Sequence, residues 1–223
     1  IIIDMHKALP VLLITVCIIC SGCTPQAART RTQTNRYTLS VRMPLHRSMT
    51  ATEKDLLSAS VSPSITGFIY DALVNDVTTN ECYVDYTIDQ FSVGTASVLF
   101  SVYTFTGGAH GNTQLIPCNY DRRTLRPLSL TDLVPSLSLQ VLSREAIRQL
   151  APELTTCEDK TLGTAEKNEC QRAQMQWLQE GAAPVTKNFQ VFTFNKKRLR
   201  IYFGQYQVER EYLEILGDRS CAF

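Results

Sequence analysis

The sequence lacks several features that would assign a function directly. No glycine-rich loop of the P-loop or dinucleotide-binding type occurs, which argues against a nucleotide-dependent enzyme. Charge is balanced, since 22 basic and 21 acidic residues leave a formal net charge of +1, and no long block of Lys or Arg stands out. We therefore expect no nucleic-acid partner. The chain does have 44% hydrophobic residues, enough for one domain, or two small ones that pack together, to bury a core.

Residues 1–22 have the pattern of a secretory signal. A short basic start is followed by a mostly apolar run at residues 11–19 and by the small pair Ser21-Gly22. The apolar run is shorter than the roughly 20 residues that a transmembrane helix needs, and this order of segments is typical of a signal peptide. The small pair directly precedes Cys23, as in a bacterial lipobox. We expect cleavage there and lipidation of Cys23; an ordinary signal peptide with a chance cysteine is the alternative.

A lipid on Cys23 predicts where the protein acts. Several acyl chains would anchor it stably to the bacterial cell membrane or the outer membrane. The folded part would then be extracytoplasmic, in the periplasm or at the cell surface. Residues 23–36 are polar and contain no lysine, and they predict a flexible tether. The folded module is then residues 37–223.

Cysteine spacing predicts disulfides without settling their connectivity. Three of the eight cysteines lie at or before position 23, so an odd number remains in the mature chain and one thiol stays unpaired or pairs between chains. The remaining cysteines are Cys82, Cys118, Cys157, Cys170 and Cys221. Cys157 and Cys170 bracket a polar segment and are the favoured pair, whereas Cys82 and Cys118 can pair only if their predicted strands are neighbours. Buried free thiols throughout are the alternative. No CxxC pair occurs after residue 23, so we expect no metal and no cofactor.

Hydrophobic periodicity predicts an α+β fold. Strands are expected at 37–43, at 82–91 with alternating buried and exposed residues, at 95–106 as a central strand, and at 113–120. A hairpin is expected from 189–194 and 199–208. Helices are expected from Ser62-Pro63 to about Asp76, at 137–154, where Leu142, Ala146 and Leu150 are spaced by four, and at 165–179. The elements come in runs rather than in strict alternation, which favours an antiparallel sheet with helices packed mainly on one face. Pro117 suits an edge strand better than a central one.

The stretch Gly107-Gly108-Ala109-His110, here called the GGAH turn, admits three interpretations. It is a turn that needs glycine, because Gly107 and Gly108 can take positive φ and Asn112 suits the same turn, and His110 would then cap backbone groups and hold the loop. It is a recognition loop, because loops on a rigid sheet often carry function. Or His110 is a general base for Cys118 or a serine, although no G-x-S-x-G elbow is present. Ala109 would be small because another element packs close to it.

The order of these motifs resembles a known family. A strand ends in "YTFTGGAHGNT", a further strand and an aspartate turn follow, and then "TLRPLSLTDLV" and the aromatic hairpin "NFQVFTFNKKRLRIYFGQYQVE". This is similar to the extracytoplasmic domain shared by RsiV-type anti-sigma factors and PdaC-type peptidoglycan deacetylases. The family's final tyrosine is matched by Tyr206. The resemblance spans residues 37–208 and divides the module into halves at 37–106 and 107–223.

The resemblance implies a non-enzymatic binding or sensing module with lysozyme or peptidoglycan as candidate ligands. A deacetylase would need a separate metal-dependent domain with paired histidines, and after residue 23 only His46 and His110 occur. Two alternatives stay open. One is an envelope scaffold for another protein, with an exposed aromatic patch around Phe192, Tyr202 and Tyr206. The other is a small hydrolase in which a base partner orients His110.

Overall fold

The chain has an α+β fold, as predicted. The computed structural model describes residues 26–75, 77, 79–135, 138–153, 157, 163–204, 207 and 212–216. The strands are β1 (Gln26–Gln33), β2 (Tyr37–Leu45), β3 (Asn80–Phe91), β4 (Thr95–Phe105), β5 (Asn112–Asp121), β6 (Phe192–Asn195), β7 (Arg198–Tyr202) and β8 (Tyr212–Leu216). The helices are α1 (Ala51–Val74), α2 (Leu130–Leu133), α3 (Leu139–Leu150) and α4 (Thr164–Gly181), with 3-10 turns at Ala151–Glu153 and Thr186–Phe189.

Two sheets and two compact units organise these elements. One sheet has the strand order β1-β2-β3-β4-β5 and the other β6-β7-β8. Unit 1 contains the described residues up to Tyr86 together with 102–112, and unit 2 contains 87–101 and those from Thr113 onward. In the described part of the chain, no helix is both long and apolar enough to span a bilayer. The predicted signal peptide lies outside the described residues.

Helix α1 of unit 1 begins earlier than the sequence predicted. Its N-cap is Thr50, which forms a capping box with Glu53, so the expected start at Ser62-Pro63 is wrong. Pro63 lies inside the helix, and the Ser62 hydroxyl donates to the Ser58 carbonyl at 2.8 Å. An interior proline ordinarily costs a helix about 3 kcal/mol. A buried stripe offsets that cost: Leu57, Val61, Phe68 and Ala72.

The five-stranded sheet departs from the prediction in two ways. Residues 26–33, expected to be part of a tether, form β1 and pair antiparallel with β2; their apolar residues are too few to show a strand pattern in the sequence alone. Strands β2 and β3 are parallel rather than antiparallel. A parallel pair needs a long crossover, and α1 is the segment that connects the two.

Several predicted features of the central strands are confirmed. In β3, Cys82 and Val84 are buried while Tyr83 and Asp85 are exposed, which is the expected alternation. In β4, residues 96–100 are all buried, as expected for a central strand. Pro117 lies in β5, which ends the strand order of its sheet, so its predicted edge position is also confirmed.

Unit 2 has an aromatic core. The predicted spacing of Leu142, Ala146 and Leu150 on α3 is confirmed, because all three are buried. The predicted hairpin is β6 paired antiparallel with β7. A third strand that the sequence did not predict, β8, pairs with β7. The buried cluster consists of Leu142, Ala146, Leu150, Leu178, Ala182, Phe189, Phe192, Phe194, Leu199, Ile201 and Phe203.

Candidate functional site

The GGAH turn follows the end of β4, and its backbone conformation requires glycine. Gly107 and Gly108 have φ values of 99° and 101°, a region in which side chains are strained. A Cβ on Gly107 would lie 2.6 Å from Cγ2 of Val77, whereas a Cβ on Gly108 would meet nothing within 4 Å. The turn therefore packs against the segment that follows α1, and only the first glycine is held by that contact.

A network of two asparagines fixes the segment on which the turn packs. The Asn75 amide donates to the Thr106 carbonyl at 3.2 Å and to Oδ1 of Asn80 at 3.1 Å. The Asn80 amide donates to the carbonyls of Val77 at 2.7 Å and Arg36 at 3.0 Å. Asn80 is buried, so these bonds replace those it would make with water. The network ties the ends of α1 and β4 and the β1–β2 turn together, and so positions the GGAH turn.

Two stacked tyrosines lie beside the turn. The rings of Tyr83 and Tyr103 are 6.0 Å apart at an interplanar angle of 29°. A Cβ on Gly111 would lie 2.3 Å from the Tyr103 ring, so the loop backbone contacts this pair directly. Tyr83 keeps 39% of its surface exposed. Two influences raise the pKa of Tyr83: first the partial burial of its hydroxyl, and second the nearby Glu81 carboxylate. The phenol therefore stays protonated at neutral pH.

The same face of the unit 1 sheet carries arginines. In the strand register Arg31 is opposite Ser40, and Ser40 is opposite Tyr83. The positive charge of Arg31 opposes the rise in the Tyr83 pKa, but the net direction is still upward. Two residues after Ser40 and Tyr83 on the same strands, Arg42 donates to the Asp85 carboxylate at 2.7 Å. The tyrosine pair is thus flanked by hydrogen-bonding side chains of both signs.

His110 lies at the exposed tip of the turn. Its Nδ1 is 3.0 Å from the Gly111 carbonyl oxygen. Ala109 and Asn112 are exposed as well. The idea that Ala109 is small because another element packs on it is therefore wrong. Within the described residues, no cluster of three or more His, Cys, Asp or Glu side chains is arranged to hold a metal ion.

Sequence reasoning named the loop but missed the tyrosines. The alternation of β3 places Tyr83 on the same exposed face as Asp85, and an exposed aromatic residue there was the available signal. Tyr103 offered no such signal in the sequence, because its stacking on Tyr83 depends on the order of the strands in the sheet. We call Tyr83, Tyr103 and residues 107–112 the loop–tyrosine surface.

The predicted cysteine pairs have different outcomes. Cys157 and Cys170 form a disulfide with their Cα atoms 5.8 Å apart. Cys82 and Cys118 are not disulfide-bonded, because β4 lies between the strands that carry them. Burial raises the pKa of the Cys82 thiol to about 11, so Cys82 is an unreactive core residue. Cys23 and Cys221 lie outside the described residues.

The aromatic patch expected of a scaffold is not present at Phe192 and Tyr202. These side chains are 5% and 8% exposed, since the hairpin turns its aromatic residues into the core of unit 2. Tyr206, the third member, lies outside the described residues.

These features define a small α+β module that carries a glycine-dependent turn beside a stacked tyrosine pair, of which Tyr83 is exposed. No family model matches the chain. It is 32% identical over 145 residues, 64% of its length, to the peptidoglycan-N-acetylmuramic acid deacetylase PdaC of Bacillus subtilis. The chain spans only 27% of that relative.

Two crystal structures share the fold. A member of the DUF3298 family from Bacteroides fragilis matches with a TM-score of 0.51 at 16% identity, covering 86% of this chain and 93% of that one. A DUF3298 family protein from Pseudomonas aeruginosa matches with a TM-score of 0.51 at 14% identity, covering 86% and 90%. The resemblance stated from the GGAH region is confirmed: the chain is homologous to part of PdaC and has the fold of DUF3298 proteins.

Proposed function

We propose that the chain is a non-enzymatic recognition module of the bacterial envelope, which binds peptidoglycan through the loop–tyrosine surface. One observation carries this proposal. The backbone at Gly111 lies against the ring of Tyr103, which in turn stacks on Tyr83. The turn and the aromatic pair therefore present one continuous surface.

The chemistry of this surface suits a glycan strand. An exposed tyrosine ring offers an apolar face to the C–H groups of a pyranose and a hydroxyl to its polar edge. The arginine and carboxylate side chains around it supply charge-assisted hydrogen bonds. The name of the homologous PdaC places that protein on peptidoglycan, which supports the same ligand here.

The environment of His110 supports recognition over catalysis. Electrostatic stabilisation of a reaction is most effective where water is excluded. His110 is instead exposed at the tip of a turn, where a side chain is available to an incoming ligand. We therefore propose that the histidine contacts the ligand and performs no proton transfer.

Membrane attachment is the second part of the proposal. Lipidation of Cys23 would hold the module near the cell wall, and the segment ending in Ser21-Gly22 before Cys23 supports it. Labelling cells with a palmitate analogue tests this directly. Wild-type protein should take up the label and fractionate with membranes, and Cys23→Ser should not. Labelled, membrane-bound Cys23→Ser protein would contradict the anchor.

Co-sedimentation with insoluble peptidoglycan tests the ligand. The full chain should pellet with the polymer, and Tyr83→Ala should reduce the pelleted fraction about tenfold, as expected for loss of a central aromatic contact. Tyr70→Ala is the matched control, because Tyr70 is also an exposed tyrosine, 66% accessible, but lies on α1. Equal loss in both variants, or none in Tyr83→Ala, would contradict the proposal. A parallel titration with lysozyme tests the other candidate ligand; binding to lysozyme alone would replace peptidoglycan in the proposal.

A further inference from the structure

Unit 2 contains a cleft whose lining residues are separate from the loop–tyrosine surface. Its volume is about 450 Å³, within the range of roughly 300–1,000 Å³ that is usual for small-molecule sites. Three segments line it: the β3–β4 turn, helix α2 and the β6–β7 turn. The lining residues are Gln90, Ser92, Gly94, Thr95, Asp132, Leu133, Phe194, Asn195 and Lys196.

The wall made by the β3–β4 turn is held in place by Arg122. Its guanidinium donates to the Ser92 carbonyl at 2.6 Å and lies 3.9 Å from the centre of the Phe91 ring. Its backbone N–H donates to the Gly94 carbonyl at 2.9 Å. Within the turn, the Thr95 N–H donates to the Ser92 hydroxyl. The turn is therefore fixed before any ligand arrives, which lowers the entropic cost of binding.

The opposite wall is fixed by contacts between β6 and its neighbours. The Phe194 N–H donates to the buried Ser97 hydroxyl at 3.0 Å, and that hydroxyl donates to Asn119 Oδ1 at 2.6 Å. The side chain of Thr193, the residue before Phe194, donates to the Asp89 carboxylate. At the tip of the hairpin, Asn195 Oδ1 accepts from the Lys197 N–H at 2.9 Å. The amide hydrogens of Asn195 are then the part of that side chain left for a ligand.

The two charges in the cleft are not equivalent. The Asp132 carboxylate accepts from the Ser129 N–H at 2.8 Å, the Ser129 hydroxyl at 2.6 Å and Arg126 at 3.0 Å. Its charge is compensated by these groups. Lys196 is exposed and begins a run of three cationic residues, Lys196, Lys197 and Arg198. The hairpin tip therefore gives the cleft a positive side.

From this arrangement we infer that the cleft is a second binding site, which takes a short saccharide carrying a carboxylate. The amides of Gln90 and Asn195 match sugar hydroxyls, Leu133 provides a small apolar wall, and Lys196 pairs with the carboxylate. The inference is independent of the loop–tyrosine surface, since the two sites share no residue. Carboxylated sugars reach an envelope protein from two sources: the muramic acid of peptidoglycan strands whose stem peptide has been removed, and the uronic acids of capsular polysaccharides.

Calorimetric titration of the full chain tests the inference. The probes are the N-acetylglucosaminyl-N-acetylmuramic acid disaccharide, digalacturonic acid and neutral chitobiose. At least one acidic disaccharide should bind about tenfold more tightly than chitobiose, the effect of one charge-assisted hydrogen bond. Which acidic probe binds more tightly identifies the source.

Variants separate this site from the first. Lys196→Met should remove the preference for the acidic probe, whereas Lys187→Met should keep it, because Lys187 is an exposed lysine of unit 2 that does not line the cleft. Tyr83→Ala should leave disaccharide affinity unchanged even if it abolishes peptidoglycan sedimentation. Three results would overturn the inference: no binding of either acidic probe, equal affinity for chitobiose, or an unchanged preference in Lys196→Met.

Discussion

The two units each contain a pair of aromatic residues in contact, but they place that pair differently. Unit 2 buries its phenylalanines, with Phe189 and Phe203 in edge-to-face contact at 6.1 Å, and adds a disulfide. Unit 1 places Tyr83 and Tyr103 as a stacked pair on the face of its sheet, and fixes the adjacent turn with the buried amide of Asn80. This difference fits our proposal that stability and recognition depend on separate residues. Substitutions in one set should then change one property with little effect on the other.

The largest expected effect is loss of stability from the aromatic core of unit 2. Phe203 is 1% exposed, and Phe203→Ala should lower the free energy of unfolding by about 3–5 kcal/mol. Val185→Ala is the control, since Val185 is 42% exposed and should cost less than about 0.5 kcal/mol. Urea denaturation followed by circular dichroism measures both. Similar costs would show that the cluster does not carry the stability of unit 2.

The disulfide should contribute the next largest effect. Cys157 and Cys170 are separated by 13 residues, and closing a loop of that size stabilises a protein by about 3 kcal/mol. Reductant should therefore lower the urea midpoint of wild-type protein. The double variant Cys157→Ala, Cys170→Ala should start from the lower midpoint and show no response to reductant. A midpoint that reductant leaves unchanged in the wild type contradicts this expectation.

A comparison of two glycines sharpens the account of unit 1. Both have positive φ, but only Gly107 has a neighbour, Val77, where a Cβ would be. Gly108→Ala should cost about 1–2 kcal/mol from backbone strain alone, and Gly107→Ala about 1 kcal/mol more because of the added overpacking. Adding Val77→Ala to Gly107→Ala should recover that difference. Equal costs for the two glycine variants would show that the contact with Val77 does not constrain the turn.

The smallest expected effect is a pH dependence near helix α2. Hydrogen bonds from the Ser129 side chain and backbone, and then from Arg126, lower the pKa of Asp132 from 3.8 to about 2. A depressed folded-state pKa gives stability that is present above pH 3.8 and is lost as pH falls toward 2. Asp132→Asn should therefore lower the melting temperature slightly near neutral pH, where the contribution of the carboxylate is fully present, and should flatten the melting-temperature profile as the pH falls through this window. A profile identical to the wild type in acid would contradict the assignment.

The parts of the fold that were predictable are those with a local signal. The spacing of Leu142, Ala146 and Leu150 predicted the buried face of α3, and the alternation of β3 predicted its exposed face. The polar segment between Cys157 and Cys170 indicated their pairing. Each of these depends on residues close together in the chain.

The rest depends on partners distant in sequence. Strand β1 is polar and is a strand only because β2 lies beside it. Ser62-Pro63 is a typical helix start, yet the capping box at Thr50 and the buried stripe beyond it override that preference. For the candidate site, the glycine requirement of the GGAH turn was predictable from residue type. The contacts of Gly107 with Val77 and of Gly111 with Tyr103 were not, since they follow from how α1 and the strands pack.

The role of His110 is the most direct test of the recognition proposal. His110→Ala should be examined for melting temperature and for peptidoglycan co-sedimentation on the same sample. Because the side chain is exposed, the melting temperature should stay within about 2 °C of the wild type, while the pelleted fraction falls. A clear drop in melting temperature with unchanged sedimentation would show that the histidine only holds the turn, and would contradict the loop–tyrosine surface as the site of recognition.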